Sequence, residues 1–149
     1  MMSDGPTESV NQHVIKASQS GDVKALVSLF ADDALFMPPN DTNVYGVEEI
    51  RSWWEDYFTS FSIVSNVLTE RDLTVAGNQA FERTAFTGTI QPKKDGAKIL
   101  DEIRTLIVWK RQPGGNWKIS HLIWNSVKPV GAGTNRYLNL MMQKKGRSS

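Results

Sequence analysis

The sequence predicts an α+β domain in which three N-terminal helices are followed by a cone-shaped, curved antiparallel sheet that wraps them. Helical spacing of apolar residues is confined to about the first sixty positions, and from Ile63 onward the period becomes that of strands. Turn signals at Ala76-Gly77-Asn78, Lys94-Asp95-Gly96 and Pro113-Gly114-Gly115-Asn116 divide the strand region into hairpins. The segments between them exceed the usual strand length of about five or six residues. Strands that long must bend, and a bent sheet closed by helices leaves an open-ended cone.

The first helix is expected over Ser9 to Ser18, with Val10, Val14 and Ile15 near helical spacing and Gly21 as its stop. Asp22 caps a second helix whose buried stripe is Val23, Leu26, Val27 and Phe30, closed by Asp32-Asp33. Ala34 to Met37, ended by Pro38-Pro39 with Asn40-Asp41, reads as an edge strand or an extended entry to a loop. A third helix, Val47 to Phe58, places Val47, Ile50, Trp54, Tyr57 and Phe58 on one face and Glu48, Glu49, Arg51 and Glu55 on the other. Strands follow at Ser62 to Glu70, Leu73 to Ala76, Gln79 to Gln91, Lys98 to Arg111 and Trp117 to Val127.

At 149 residues, 40% hydrophobic and 22% charged, the composition is that of one globular domain. Residues 1–127 form it, and residues 128–149 are a basic appendage. No apolar run approaches the roughly 20 residues that cross a bilayer, and the start lacks a secretory pattern, so no membrane partner and a cytoplasmic location are expected. With no cysteine, disulfides, thiolate metal sites and cysteine nucleophiles are excluded. His13 and His121 are the only histidines, neither with a second ligand at useful spacing, so no metal is expected; Gly114-Gly115 is a hairpin, so neither is a nucleotide cofactor.

Charge is divided along the chain: all 16 acidic residues stand at or before Glu102, and nine of the 17 basic ones follow it. The basic residues are spaced along strands and tail rather than packed together, which argues against a nucleic-acid partner.

Ser20-Gly21-Asp22, Leu29-Phe30-Ala31-Asp32-Asp33-Ala34, Tyr45-Gly46-Val47-Glu48-Glu49-Ile50, and Gly115-Asn116-Trp117-Lys118-Ile119 with Trp124-Asn125-Ser126 resemble, in order and spacing, the nuclear transport factor 2-like, SnoaL-like superfamily. This is the cone fold of ketosteroid isomerase, and the match runs from about Thr7 to Val127. The superfamily spans isomerases, cyclases, hydrolases, dehydratases and assembly modules, so function must be argued from the site. The resemblance puts Val14 and Pro38 at the isomerase donor and base, and Thr105 or Leu106 at its acidic donor. None can do that chemistry, so this is not a true ketosteroid isomerase.

Polyketide cyclases of this fold use a late-strand acid–base group, for which the last strand offers only His121. Epoxide-hydrolase relatives activate water with arginine-bridged carboxylates. Glu102 and Arg104, two apart on one strand face, and Glu82 on the preceding strand could form such a trio. Both faces of the Lys98–Arg111 strand are mixed, so parity leaves open which face is inward. The catalytic candidates are thus Glu82, Glu102, Arg104 and His121, set against a plain cross-strand ion pair and a hydrogen-bonded structural histidine.

Trp54, Tyr57 and Phe58 share a helix face that the resemblance closes over the sheet; Met37 borders the mouth, and Trp124 and Asn125 end the last strand there. These six are the expected contacts of a small hydrophobic ligand. The alternative is a filled cone serving as a dimerisation or assembly module. The resemblance implies a homodimer through the outer sheet face, and apolar residues on both faces of one strand, such as Ile103, Leu106, Ile107 and Val108, support a sheet covered on each side. Tyr137, Leu138, Leu140 and Met141 in the appendage could cover a neighbouring subunit or the cavity mouth.

Overall fold

Local chemistry sets most element boundaries, and long-range pairing overrides it at two of them. In the computed structural model, which describes residues 5–6 and 8–129, the order is α1 (Glu8–Ser20), α2 (Val23–Val27), β1 (Phe30–Met37), β2 (Val44–Tyr45), α3 (Gly46–Ser60), β3 (Phe61–Ala76), β4 (Gln79–Pro92), β5 (Ile99–Arg111) and β6 (Trp117–Ser126). The tail residues Tyr137, Leu138, Leu140 and Met141 lie outside the described residues.

Asp22 caps α2 as expected, its Oδ1 accepting from the Ala25 N–H at 3.0 Å. The helix nevertheless ends at Val27, not at Asp32-Asp33. Phe30 enters the sheet opposite Ile119, and the Ile119 N–H donates to the Leu29 carbonyl at 2.7 Å. Pairing with a distant strand thus wins over the helical spacing of Phe30. Gly46 opens α3 at φ 82°, where a Cβ would also come 3.4 Å from the Asp32 carbonyl oxygen.

The six strands form one mixed sheet in the order β2-β1-β6-β5-β4-β3. Four expectations are corrected here. β1 is an internal strand, antiparallel to β2 and parallel to β6, so the sheet is not purely antiparallel and Ala34–Met37 is not an edge. The helices also do not all precede the sheet, since β1 and β2 come before α3. The separate strands expected at 62–70 and 73–76 are one strand, because Arg71 and Asp72 pair with Thr84 and Arg83. Register shifts on β3 between Ile63 and Ser65 and between Leu68 and Glu70, and one between β5 and β6, are bulges that let such long strands curve.

The curved sheet is covered on its concave side by α1, which packs on β3, and by α3, which packs on β1. Phe30, Phe36, Ile50, Ile107, Trp109 and Ile119 form the buried core between them. On β4 the alternation is regular: Ala80, Glu82, Thr84 and Phe86 are buried while Gln79, Phe81 and Arg83 are exposed. Their β5 partners Trp109, Ile107, Thr105 and Ile103 must therefore face inward as well. This parity places everything that follows.

Candidate functional site

The concave side is not filled. A cavity of about 370 Å³ remains between the helices and the sheet, within the usual range for small-molecule sites. α1 lines it with Asn11, Val14 and Ser18, one face at helical spacing, and β5 with Asp101, Ile103, Thr105, Ile107 and Trp109, one face at strand spacing.

One wall is aromatic. Trp53, Trp54 and Tyr57 come from α3 and Trp124 from β6. Trp53 stacks on Tyr57 at 5.5 Å, and Trp54 lies nearly parallel to Trp124, 8° apart in plane. Phe36 on β1 backs this wall, stacked on Trp124 at 4.9 Å. The Trp53 indole N–H donates to Asp41 at 3.1 Å, which holds that carboxyl below its ordinary range.

The polar end is built around Asp101. Gly88, its cross-strand partner on β4, has no side chain to fill the space opposite. Burial pushes the Asp101 carboxyl up from the usual aspartate value, and the neighbouring Glu102 charge adds to this; the Ser126 hydroxyl and the Glu102 backbone N–H oppose it. Its Oδ1 is buried without a hydrogen-bond partner among the described residues, as is the Trp54 Nε1. The Tyr57 hydroxyl is pushed up to about 12, by burial first and then by the charge of Asp101. A carboxyl that is poorly solvated, incompletely bonded and open to a cavity can exchange a proton with a bound molecule.

The expected catalytic residues do not converge. Glu82 faces inward and is 1% exposed, but it is fully engaged: Arg71 Nε donates to it at 2.5 Å, Asn11 Nδ2 at 3.2 Å and Trp109 Nε1 at 3.1 Å. Arg71 also donates to the Pro6 carbonyl at 2.8 Å. The group ties α1, β3, β4 and β5 together just behind the cavity lining.

Glu102, Arg104 and His121 lie on the opposite, outer face, because the inward places on β5 and β6 belong to their sequence neighbours. Glu102 pairs with Lys128 at 3.2 Å, Arg104 Nε donates to Asn125 Oδ1 at 3.3 Å, and His121 Nδ1 sits 3.0 Å from the Ser120 hydroxyl. The Glu82–Glu102–Arg104 trio is therefore not formed.

Of the expected ligand contacts, Trp54, Tyr57 and Trp124 line the cavity. Asn125 is on the outer face with Arg104. Met37 follows inward Phe36, so it takes the other side of β1 and is absent from the lining; Phe58 stacks behind Trp54 at 5.6 Å and does not reach the cavity. The sequence reasoning missed Asp101. Parity groups Asp101 with Ile103, Thr105, Ile107 and Trp109, but Leu106 and Val108 stand beside Glu102, Arg104 and Lys110 on the other face, so only the pairing with buried Ala80, Glu82, Thr84 and Phe86 shows which face is inward.

Comparison with known proteins agrees with this architecture. The family model described as a SnoaL-like domain matches residues 7–123. Similar solved structures include a ketosteroid isomerase-like protein from Erwinia carotovora atroseptica, 19% identical, covering 82% of this chain and 94% of that one with a TM-score of 0.72. A nuclear transport factor 2-like superfamily protein from Salmonella enterica serovar Typhimurium is 20% identical, covering 87% and 93% with a TM-score of 0.71. A nuclear transport factor 2-like protein from Cytophaga hutchinsonii is 19% identical, covering 83% and 100% with a TM-score of 0.66. Identities this low speak to the fold alone. No match was found among curated proteins.

Proposed function

Because the chain belongs to the SnoaL-like domain family of the nuclear transport factor 2-like superfamily, we propose that it binds a small, largely apolar organic molecule in the cavity and moves a proton on it without a cofactor, through Asp101. The observation that carries this reading is the Asp101 carboxyl itself. It is raised by burial, has one oxygen without a partner among the described residues, and is the one charged side chain among the described residues that line a mainly apolar cavity. A half-buried carboxyl with one unmet oxygen is costly to keep in a purely structural role, and such groups cluster where chemistry is done.

Isomerisation, cyclisation, dehydration and hydrolysis all need such a group. Tyr57, held protonated to about 12, is a neutral hydrogen-bond donor for the oxygen of a bound molecule. True ketosteroid isomerase chemistry is not proposed: Val14 and Thr105 line the cavity at two of the positions where that resemblance would require a donor and an acid.

A dimer belongs to the same reading. Phe81, Leu106 and Ile123 are 42%, 48% and 44% exposed on the outer sheet face, where Leu106 pairs with Ile123 and Phe81 with Val108 across adjacent strands. Such a row supports burial against a second copy. An assembly module with a filled cone is less well supported, since about 370 Å³ is left open.

The test is a thermal-shift screen of steroid-like, terpene-like and polyketide-like compounds. A ligand at 100 times its Kd should add about 2.7 kcal/mol. Asp101→Asn should keep binding of a hit and lower its turnover by about 10²- to 10⁴-fold. A screen without hits, or full turnover by the variant, would overturn the reading.

A further inference from the structure

The charge around the cavity is one-sided. Among its described lining residues Asp101 is the only acidic one, and no Lys, Arg or His accompanies it. Glu82 shows what a buried carboxylate receives in this chain when it is meant to rest, namely an arginine and two N–H donors. Asp101 receives no cation among the described residues.

The same sign continues outside the cavity. Asp41 follows the lining residues Pro39 and Asn40, is fully exposed, and is held in its charged form by the Trp53 indole. α3, which supplies the aromatic wall, carries Glu48, Glu49, Glu55 and Asp56 against a single Arg51. Arg51 is itself 3.6 Å from Glu48. Lys93 is engaged by the Phe58 carbonyl at the far end of the helix.

From this we propose that the cavity selects an organic cation: an amine protonated at neutral pH, carried on an apolar body, with its ammonium N–H directed at Asp101 Oδ1 among the rings of Trp53, Trp54, Tyr57 and Trp124. The inference rests on the cavity being a ligand site and names the charge class of the ligand. Ring faces attract a cation within about 6 Å of their centroids, most strongly when water is excluded. The carboxylate adds a full opposite charge in a medium where such pairs are weakly screened. An anion would meet the half-buried Asp101 carboxylate, one oxygen of which has no partner among the described residues. A neutral molecule of the same shape would gain the apolar contacts and leave Asp101 ionised without a counter-charge, which is costly. Because burial disfavours its charged form, the Asp101 carboxylate gains more from an arriving cation than an exposed aspartate would. The acidic face of α3 and the Asp41 rim would steer such a ligand inward.

Three matched probes separate the charge class from the apolar contacts: 2-(2-naphthyl)ethylamine, 2-(2-naphthyl)ethanol and 2-naphthylacetate, titrated calorimetrically at pH 7.5. The amine should bind about tenfold or more tightly than the alcohol, and the acetate more weakly than either. Asp101→Asn should bring the amine down to the alcohol while leaving the alcohol within about threefold of its original affinity. Glu102→Gln removes a carboxylate one residue away on the outer face and should leave the amine preference intact.

An alcohol that binds as well as the amine, or an amine preference that survives Asp101→Asn, would overturn the charge assignment while leaving the cavity as a ligand site. Loss of the amine preference in Glu102→Gln would overturn it too. Binding by none of the three would count against both the charge class and the ligand site.

Discussion

Two inward-facing carboxyls on neighbouring strands of this sheet have opposite surroundings. Glu82 sits behind the cavity lining, with Arg71, Asn11 and Trp109 as donors. Asp101 sits on the cavity wall with one oxygen unmatched and a glycine opposite. The first closes the fold by joining α1 to three strands. The second leaves bonding capacity that no described residue meets. Burial alone does not distinguish a functional carboxyl from a structural one; the completeness of its partners does.

The largest effect should come from breaking the Glu82 group. Arg71→Ala would leave Glu82 buried and without its counter-charge, a change that costs about 3–5 kcal/mol for fully buried pairs. Arg71 is partly open to solvent, so about 3 kcal/mol is expected, read as a lower urea midpoint with an unchanged slope. A loss below about 1 kcal/mol would show that Glu82 is not the structural member of the comparison.

The opposite sign is expected at Asp101. Its folded-state pKa lies above the unfolded value, so the folded protein holds the proton more tightly. Stability should then decline as pH rises from the ordinary aspartate value through the raised one, and stay at the lower level beyond it. Asp101→Asn removes that decline and should raise the melting temperature at pH 7.5 by on the order of a few degrees. It also removes the charge that helps hold Tyr57 near 12. An ultraviolet titration of the phenol should therefore show Tyr57 ionising at lower pH in the variant. A destabilised Asp101→Asn protein would mean that the carboxyl is structurally satisfied after all.

Much of this was legible from residue order, and the failures share one cause. Asp22, Gly46 and the three hairpin turns announce themselves locally, and helix and strand periods do the rest. What could not be read is how strands pair at a distance. Phe30 fits a helical stripe until Ile119 claims it, and Ala34–Met37 looks like an edge until the parallel β6 is placed beside it. The site failed by one residue on β5. Glu102 and Arg104 attract attention as a charged pair at strand spacing, yet the same spacing read from Ile103, Thr105, Ile107 and Trp109 puts Asp101 in the cavity. Because the side-chain period of a strand is two, a one-residue choice decides every role on it.

The smallest expected effects test that choice from its other side. Glu102→Gln and His121→Ala alter the exposed outer face, where the Glu102 partner is Lys128 at 3.2 Å and both side chains are open to water. Exposed pairs of this kind contribute about 0–1 kcal/mol, so Glu102→Gln should unfold within about 0.5 kcal/mol of the original. Both variants should turn over a discovered substrate at the original rate, since neither side chain reaches the cavity. The pair is informative because the two faces of β5 make contrary demands of adjacent residues. Losing a carboxylate at 102 should change almost nothing, whereas losing one at 101 should change stability, the titration of Tyr57 and turnover together. If Glu102→Gln instead abolished turnover while Asp101→Asn did not, the assignment of inner and outer faces would be reversed for function, and the outer sheet would have to hold the chemistry.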